Sequence, residues 1–171
     1  SDFHKKITSA RNFIFRSGGC QIFRKLFITI FSEKLLCYNT PPKGGIFLFT
    51  EKNFKNALEV MKFEKISDGV YQKNFAENIF MQADFKQKKL FYPKNLKIGR
   101  DTIKNFSQNE NFVVFECVHR LLQKGYKPED IFLEKAWQLG HNQKSGIADI
   151  CISKNEKVFL IIECKTLGAE F

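Results

Sequence analysis

The sequence contains no pair of cysteines at the C-x-x-C spacing, only four prolines and a single tryptophan. Its five cysteines are Cys20, Cys37, Cys117, Cys151 and Cys164. An odd number without close pairs argues against a zinc cage or a disulfide framework and favours a reducing compartment. We therefore expect a cytoplasmic protein in which Cys117 and Cys151, which lie in apolar runs, are small core residues.

Long apolar runs are also missing. The longest one in the early chain, Leu26 to Phe31, is far shorter than a bilayer span. Four basic residues interrupt every early stretch that would serve as a signal peptide: Arg11, Arg16, Arg24 and Lys25. With 43% hydrophobic and 27% charged residues in 171, the composition predicts about one globular domain and no membrane association.

Positive charge is plentiful but unevenly distributed. The net charge is +10, and residues 1–50 hold eight Lys and Arg against two Asp and Glu. Residues 109–171 hold eight against nine, as expected where carboxylates gather around a cation. The basic front indicates a nucleic-acid partner. The alternative is an AT-rich genome, because 20 Phe with abundant Lys, Asn and Ile is typical of such coding bias.

The chain divides into a basic, Phe-rich segment of unknown role (1–50) and a domain over 51–171. The first segment contains an expected helix from Cys20 to Leu36 and ends in a turn-rich stretch at 39–45. Residues 51–108 predict a helix and a β-meander. The predicted helix is Asn53 to Phe63, the turns are Asp68-Gly69 and Gln87-Lys88, and the strands are Val70 to Gln72, Asn78 to Phe85 and Lys89 to Tyr92.

Residues 109–171 predict one helix followed by three strands. The helix is Asn111 to Lys124 with Gly125 as its C-cap, and the strands are Ile131 to Trp137, Ile147 to Ser153 and Val158 to Glu163, with a turn at 154–157. The last strand is almost wholly aliphatic, which is typical of a central strand covered on both faces. The predicted class is α/β.

Acidic residues stand at the ends of the last two predicted strands. The hairpin would return Glu163 beside Asp149, and alternation puts Glu163 and Lys165 on one strand face. The spacing alone is weak evidence, because Asp68 with Asp84-Phe85-Lys86 satisfies it too. Context separates the two, since Lys165 ends a buried strand, where charges need partners or a cation. The alternative is that Glu163 and Lys165 face water at the sheet edge.

Residues 109–171 resemble the PD-(D/E)xK nuclease module at the front of type IIG restriction-modification enzymes, and the related type I restriction module. The resemblance rests on Glu110 to Glu116, Gly125-Tyr126, Glu134, Trp137, Gly140, Ala148-Asp149 and Ile161 to Thr166. It weakens back to Asn53 and is absent before. Two departures are Ala148 in place of the motif proline and an end six residues after Lys165.

The resemblance implies a restriction-endonuclease-like mixed sheet flanked by helices, truncated after the third core strand. It implies Mg²⁺-dependent cleavage of double-stranded DNA, with Mn²⁺ as a substitute. It also implies a downstream adenine methyltransferase, which would use AdoMet, and a target-recognition region. Asp149, Glu163 and the backbone carbonyl of Cys164 would be the metal ligands. Lys165 would orient the attacking water.

The remaining candidates are less direct. Glu116 would bring an acid from the helix toward the metal, although it also stands four residues before Arg120 and could form an exposed ion pair. Glu134 is a poorer alternative. His141 and Lys144 would contact DNA phosphate or form a solvated hairpin tip.

Two other functions remain open: a catalytically silent DNA-binding or assembly module of this fold, and a nuclease for junctions or single strands. Dimerisation for double-strand cleavage is open as well.

Overall fold

The structure is a computed structural model that describes residues 26–31, 50–137 and 146–165; for residues 26–31, Trp137 and Lys165 it describes the backbone alone. These ranges form nine strands and two α-helices. In chain order they are β1 (Leu26–Phe31), α1 (Glu51–Val60), β2 (Glu64–Ser67), β3 (Val70–Ala76), β4 (Ile79–Asp84), β5 (Lys89–Phe91), β6 (Lys97–Ile98), α2 (Asn109–Gln123), β7 (Ile131–Trp137), β8 (Gly146–Lys154) and β9 (Lys157–Lys165). Among the helices of these ranges, none is both long and apolar enough to cross a bilayer.

A five-stranded mixed sheet carries the candidate site. Its strand order is β1-β9-β8-β7-β6. β8 runs antiparallel to both β7 and β9, while β1 lies parallel to β9 and β6 parallel to β7. The predicted α/β class with a mixed sheet is therefore confirmed. β9 has a strand on either side, as its continuous apolar sequence predicted.

The first segment corrects one prediction. The helix expected from Cys20 to Leu36 is wrong over Leu26–Phe31, which form β1, with Ile28 opposite Ile162 of β9; the rest of that predicted helix lies outside the described residues. The run is rich in β-branched and aromatic residues, which favour strands. Its partner strand lies at the other end of the chain, so local periodicity could not reveal the pairing. Residues 1–50 thus contribute a strand beside β9, a role that the sequence did not indicate.

The second sheet is an antiparallel meander, β2-β3-β4-β5. Its last three strands and the Asp68-Gly69 turn match the predictions, and Gly69 has the left-handed φ of +77° that the turn requires. β2 was not predicted. Its four residues, Glu64–Ser67, are all exposed and show no apolar alternation, so only pairing with β3 makes them a strand.

Helix α2 fills the space between the mixed sheet and α1. It packs on β9, and Phe112 on another of its faces stacks on Phe54 of α1 with ring centroids 4.5 Å apart. The predicted helix, its coverage on two sides and its C-cap are confirmed. Gly125 has φ +84°, and the next amide, Tyr126, donates to the Leu121 carbonyl at 3.1 Å.

The β8–β9 hairpin turns where the sequence predicted. Asn155 and Glu156 have φ of +50° and +64°, the left-handed pair of a two-residue hairpin turn. From that turn the ladder runs back to the pair Ile150–Ile162. This register brings Asp149 and Glu163 to the open end of the hairpin, on neighbouring strands.

Candidate functional site

The ladder between β7 and β8 is interrupted at Glu134 and Asp149. Paired residues on either side of the interruption are Leu133 with Ile150 and Lys135 with Ala148. Ile150 belongs to the main core beneath α2, whereas Ala148 packs in a separate small cluster with Cys151 and Ile161. Strict alternation would have placed Ala148 and Ile150 on one face. The interruption therefore reverses the faces of β8 on the two sides of Asp149.

Glu134 has an unusual backbone. Its φ is +51°, a left-handed conformation that residues other than glycine seldom adopt within a strand. Gly99, directly after β6, has no side chain and therefore leaves room for this conformation of Glu134. Its amide donates to the Leu133 carbonyl at 2.9 Å, and a Cβ on Gly99 would lie 2.2 Å from the Glu134 carbonyl oxygen. Such strained positions concentrate at functional sites, which makes Glu134 a candidate member of this one.

Asp149 is fixed to the neighbouring strand through its side chain. Its Oδ2 accepts a hydrogen bond from the backbone amide of Cys164 at 2.6 Å. The regular β8–β9 pairs end at Ile150, so the carboxylate continues the ladder where backbone pairing stops. Oδ1 has no hydrogen-bond partner among the described residues. Within the part of the chain that the structure describes, Asp149 therefore presents one hydrogen-bonded and one unbonded carboxylate oxygen at the seam between β8 and β9.

Cys164 anchors this seam to the core. Its thiol is fully buried and lies close to that of Cys117 on α2. The Cys117 contact and burial raise the pKa of the Cys164 thiol well above its ordinary value, and Asp149 and Glu110 add to the shift. The thiol is thus neutral and belongs to the core. Its role as a metal ligand through the backbone carbonyl stays a prediction.

Two carboxylates, Asp149 and Glu110, lie within electrostatic reach of a third, Glu134. Burial raises the pKa of Glu134, and the neighbouring carboxylates of Asp149 and Glu110 raise it further. Arg100 acts in the opposite direction, with its Nη1 3.9 Å from Glu134 Oε2. Glu110 stands in the first turn of α2, where the helix dipole favours negative charge. A bound cation would offset the negative charge of these half-buried carboxylates.

Glu163 and Lys165 stand at the end of β9. Cys164 faces the core under α2, so alternation puts Glu163, which is half-buried, on the face shared with Ile161. Its strand position is next to Asp149 across the hairpin. The backbone of Lys165 pairs with Phe31 of β1. The side chain of Lys165, together with His141 and Lys144, lies outside what the structure describes, so their predicted roles stay predictions.

Glu116 lies elsewhere on α2. It is 4% exposed, hydrogen-bonds to Arg120, and lines a cavity against α1. Burial raises its pKa, and Arg120 partly offsets that rise. The structure thus shows the i,i+4 pair that the sequence allowed, although buried rather than exposed, and the contacts described for Glu116 include none with Asp149. Its part in a metal site stays a prediction without geometric support.

Glu110 was not among the predicted site residues, and Glu134 was predicted only as a poorer alternative to Glu116. A signal for Glu110 existed, because it stands seven residues before Cys117 and four before Val114, on the predicted apolar face of α2. The acid at the start of that face points toward the sheet. For Glu134 no local signal existed, since its orientation depends on the interrupted ladder.

The competing acid-x-lysine pattern is structural. Asp84 Oδ1 accepts the amides of Lys86 and Gln87, each at 2.9 Å, and so closes the turn after β4. Lys86 forms an ion pair with Asp68 at 3.0 Å, which lowers the pKa of that exposed carboxyl. The contrast between a buried strand end and a polar turn, predicted from the sequence, is confirmed for these residues.

The donor set at the Asp149 end of the hairpin fits magnesium in kind. It offers carboxylate and carbonyl oxygens, the ligands that hard cations take. In the described ranges, no group of three or more His, Cys, Asp or Glu side chains is arranged to hold a metal. Magnesium commonly uses one or two carboxylates and completes its shell with water and substrate phosphate, so such an arrangement suffices for this ion.

One comparison with known proteins finds a match. Residues 109–170 match the family model described as the type I restriction enzyme R protein N terminus. No curated protein and no solved structure matches the chain. The match covers α2 and β7 to β9, which together carry Glu110, Glu134, Asp149 and Glu163. This part of the chain is therefore similar to the N-terminal domain of a restriction enzyme.

Proposed function

We propose that the chain is the metal-dependent endonuclease domain of a restriction-modification enzyme, of the PD-(D/E)xK type, acting on double-stranded DNA. The observation that carries the proposal is the Asp149 carboxylate, held on the Cys164 amide at 2.6 Å within the part of the chain that matches a restriction-enzyme family. The interrupted ladder, where Asp149 stands across from Glu134 on the neighbouring strand, supports it.

The chain's own residues would divide the work. Asp149 and Glu163, adjacent across the hairpin, would hold a magnesium ion, which supplies charge neutralisation at the attacking and leaving oxygens of the phosphodiester. The Cys164 amide fixes the orientation of Asp149 in advance, so little reorganisation is needed when DNA binds. Glu134, whose pKa is raised by burial and by Asp149, would exchange a proton with water near Asp149. Lys165 would orient the attacking water.

The wider enzyme is part of the proposal. A downstream adenine methyltransferase using AdoMet and a target-recognition region would accompany this domain, in the type IIG arrangement. The matched family is that of a type I R protein, so the alternative arrangement is a separate restriction subunit. Base reading would belong to other domains, because phosphate contacts position a nuclease without specifying sequence.

Substitution of Asp149 by Asn tests the proposal. The variant keeps the size of the side chain and an oxygen that can accept the Cys164 amide, but it loses the charge that binds the cation. We expect Mg²⁺-dependent cleavage of plasmid DNA to fall by roughly a thousandfold, since metal stabilisation of the transition state is worth several kcal/mol. Lys165→Ala should give a comparable loss.

Asp68→Asn is the matched control, because Asp68 belongs to the competing acidic pattern and is exposed. It should cleave like the wild type. Undiminished cleavage by Asp149→Asn would contradict the assignment. Binding of duplex DNA by the wild type without any cleavage in Mg²⁺ or Mn²⁺ would instead favour a silent DNA-binding module, and a preference for junctions or single strands would favour a repair-type nuclease.

A further inference from the structure

The cavity that Glu116 lines lies between α1 and α2, on the side of α2 that faces away from Asp149. Its volume is about 250 Å³, and its apolar wall comes from the end of α1, at Ala57, Val60 and Met61. Lys62, His119 and Arg120 are among its polar lining residues. The volume suits a small molecule and is too small for a peptide helix.

The charge around this cavity is predominantly positive. Glu116 is the one acid in its lining, and Arg120 engages it through Nε. That contact leaves both Nη groups of Arg120 without a hydrogen-bond partner among the described residues. Lys73 stands directly behind, with its Nζ 2.9 Å from Nε2 of His119. The cavity and the residues behind it therefore hold three cations, Lys62, Lys73 and Arg120, and one carboxylate, which is paired with Arg120.

The pKa values of His119 and Lys73 reflect the burial of this region and its positive charge. Burial lowers the pKa of His119 to about 4, and the charges of Lys73 and Arg120 contribute to the shift. The pKa of Lys73 is lowered by burial and by the charge of Lys62. A bound anion would reduce the repulsion among the positively charged side chains of the cavity, as it does at phosphate-binding sites.

Lys62 occupies a position where the fold would accept glycine more readily. It follows the C-cap of α1 with a left-handed φ of +61°, and the Phe63 amide donates back to the Leu58 carbonyl at 2.9 Å. Glycine or asparagine is the usual residue at this position of a helix end. A lysine there is disfavoured by its Cβ, yet it places a cation at the mouth of the cavity.

From the cavity, its cations and the position of Lys62, we propose that the α1–α2 cavity binds a small anionic molecule carrying a phosphate group. The Arg120 Nη groups and the Lys62 ammonium hold the phosphate, and the Ala57–Met61 wall contacts the apolar part of the ligand. The ligand is a free phosphate or phosphomonoester rather than a DNA backbone, because a concavity of about 250 Å³ admits one phosphate group with a small substituent and not a strand.

Isothermal titration calorimetry of the 171-residue chain at constant ionic strength tests this site, with inorganic phosphate and glycerol phosphate as probes. We expect saturable binding of both probes. Lys62→Gly should weaken it about tenfold, the value of one charge-assisted hydrogen bond. The same variant should unfold at an unchanged or higher temperature, because glycine suits the left-handed position. Lost affinity without lost stability separates a binding role from a structural one.

Lys88→Gly is the matched control. Lys88 is also an exposed lysine with left-handed φ, +53°, but it pairs with Glu51 at the opposite end of α1. It should bind the probes like the wild type. The proposal is overturned if neither probe binds saturably, or if Lys62→Gly and Lys88→Gly bind the probes with the same affinity. It is also overturned if a short DNA duplex displaces the probes and Lys62→Gly lowers the affinity for that duplex.

Discussion

At the scale of single residues, Gly99 is the position on which the geometry of Glu134 depends most. Replacing Gly99 by Ala would put a methyl group 2.2 Å from the Glu134 carbonyl oxygen, so the backbone of β6 or β7 must move. We expect the free energy of unfolding to fall by about 1–3 kcal/mol, the usual cost of overpacking. The rate of DNA cleavage should fall by more than the loss of folded protein explains, because Glu134 moves relative to Asp149. Urea unfolding and a plasmid assay measure the two effects.

Gly146→Ala provides the control at the start of β8, since a Cβ there meets nothing within 4 Å. Its free energy of unfolding should stay within about 0.5 kcal/mol of the wild type. Equal stability of the Gly99 and Gly146 variants would contradict the close approach of β6 to Glu134.

His119 gives the fold a pH dependence of known sign. Its pKa is about 4 in the folded protein against 6.5 ordinarily. The unfolded chain therefore takes up a proton as the pH falls below 6.5 while the folded protein does not. Stability is full above pH 6.5 and declines down to about pH 4, by roughly 3 kcal/mol from this group.

Urea unfolding of His119→Gln between pH 7 and pH 4 checks this decline. Glu116 and Glu134, whose pKa values are raised, act with the opposite sign, so the informative quantity is the difference between wild type and variant. That difference should change by roughly 3 kcal/mol over the range. A difference independent of pH would contradict the shift.

At the scale of elements, the sequence predicted α1, α2 and the last three strands, because each carries its own periodicity, cap or turn. It mistook β1 for helix and missed β2 and β6, since all three owe their structure to a partner strand. The site divides in the same way. Asp149 and Glu163 are joined by a short hairpin and were predicted as neighbours, whereas the inward turn of Glu134 comes from a ladder interruption that no local pattern announces.

The strand assignment of β1 can be tested with proline at two adjacent positions. In a parallel pair, successive residues direct their amides alternately toward and away from the partner. Of Ile28→Pro and Thr29→Pro, one should lose a hydrogen bond to β9 and destabilise the fold by about 3 kcal/mol, and the other should cost much less. Thermal unfolding compares them. Similar large losses in both variants would indicate a helix instead.

At the scale of the whole molecule, α2 separates two polar places. Its sheet side carries Glu110 and Cys117 toward the Asp149 seam, and its α1 side carries Glu116 and Arg120 into the cavity. The first place is rich in carboxylates and the second in cations. Opposite charge preferences on two sides of one helix allow a metal-assisted reaction and anion binding to occupy the same small domain without competing for residues.

The central claim is that Asp149 holds a catalytic cation, and Mn²⁺ binding followed by electron paramagnetic resonance tests it most directly. Mn²⁺ takes the same oxygen ligands as Mg²⁺ and loses its free-ion signal when bound. We predict that the wild type and Asp68→Asn bind Mn²⁺ alike and that Asp149→Asn binds at least about tenfold more weakly. Equal Mn²⁺ binding by Asp149→Asn and the wild type would contradict the account.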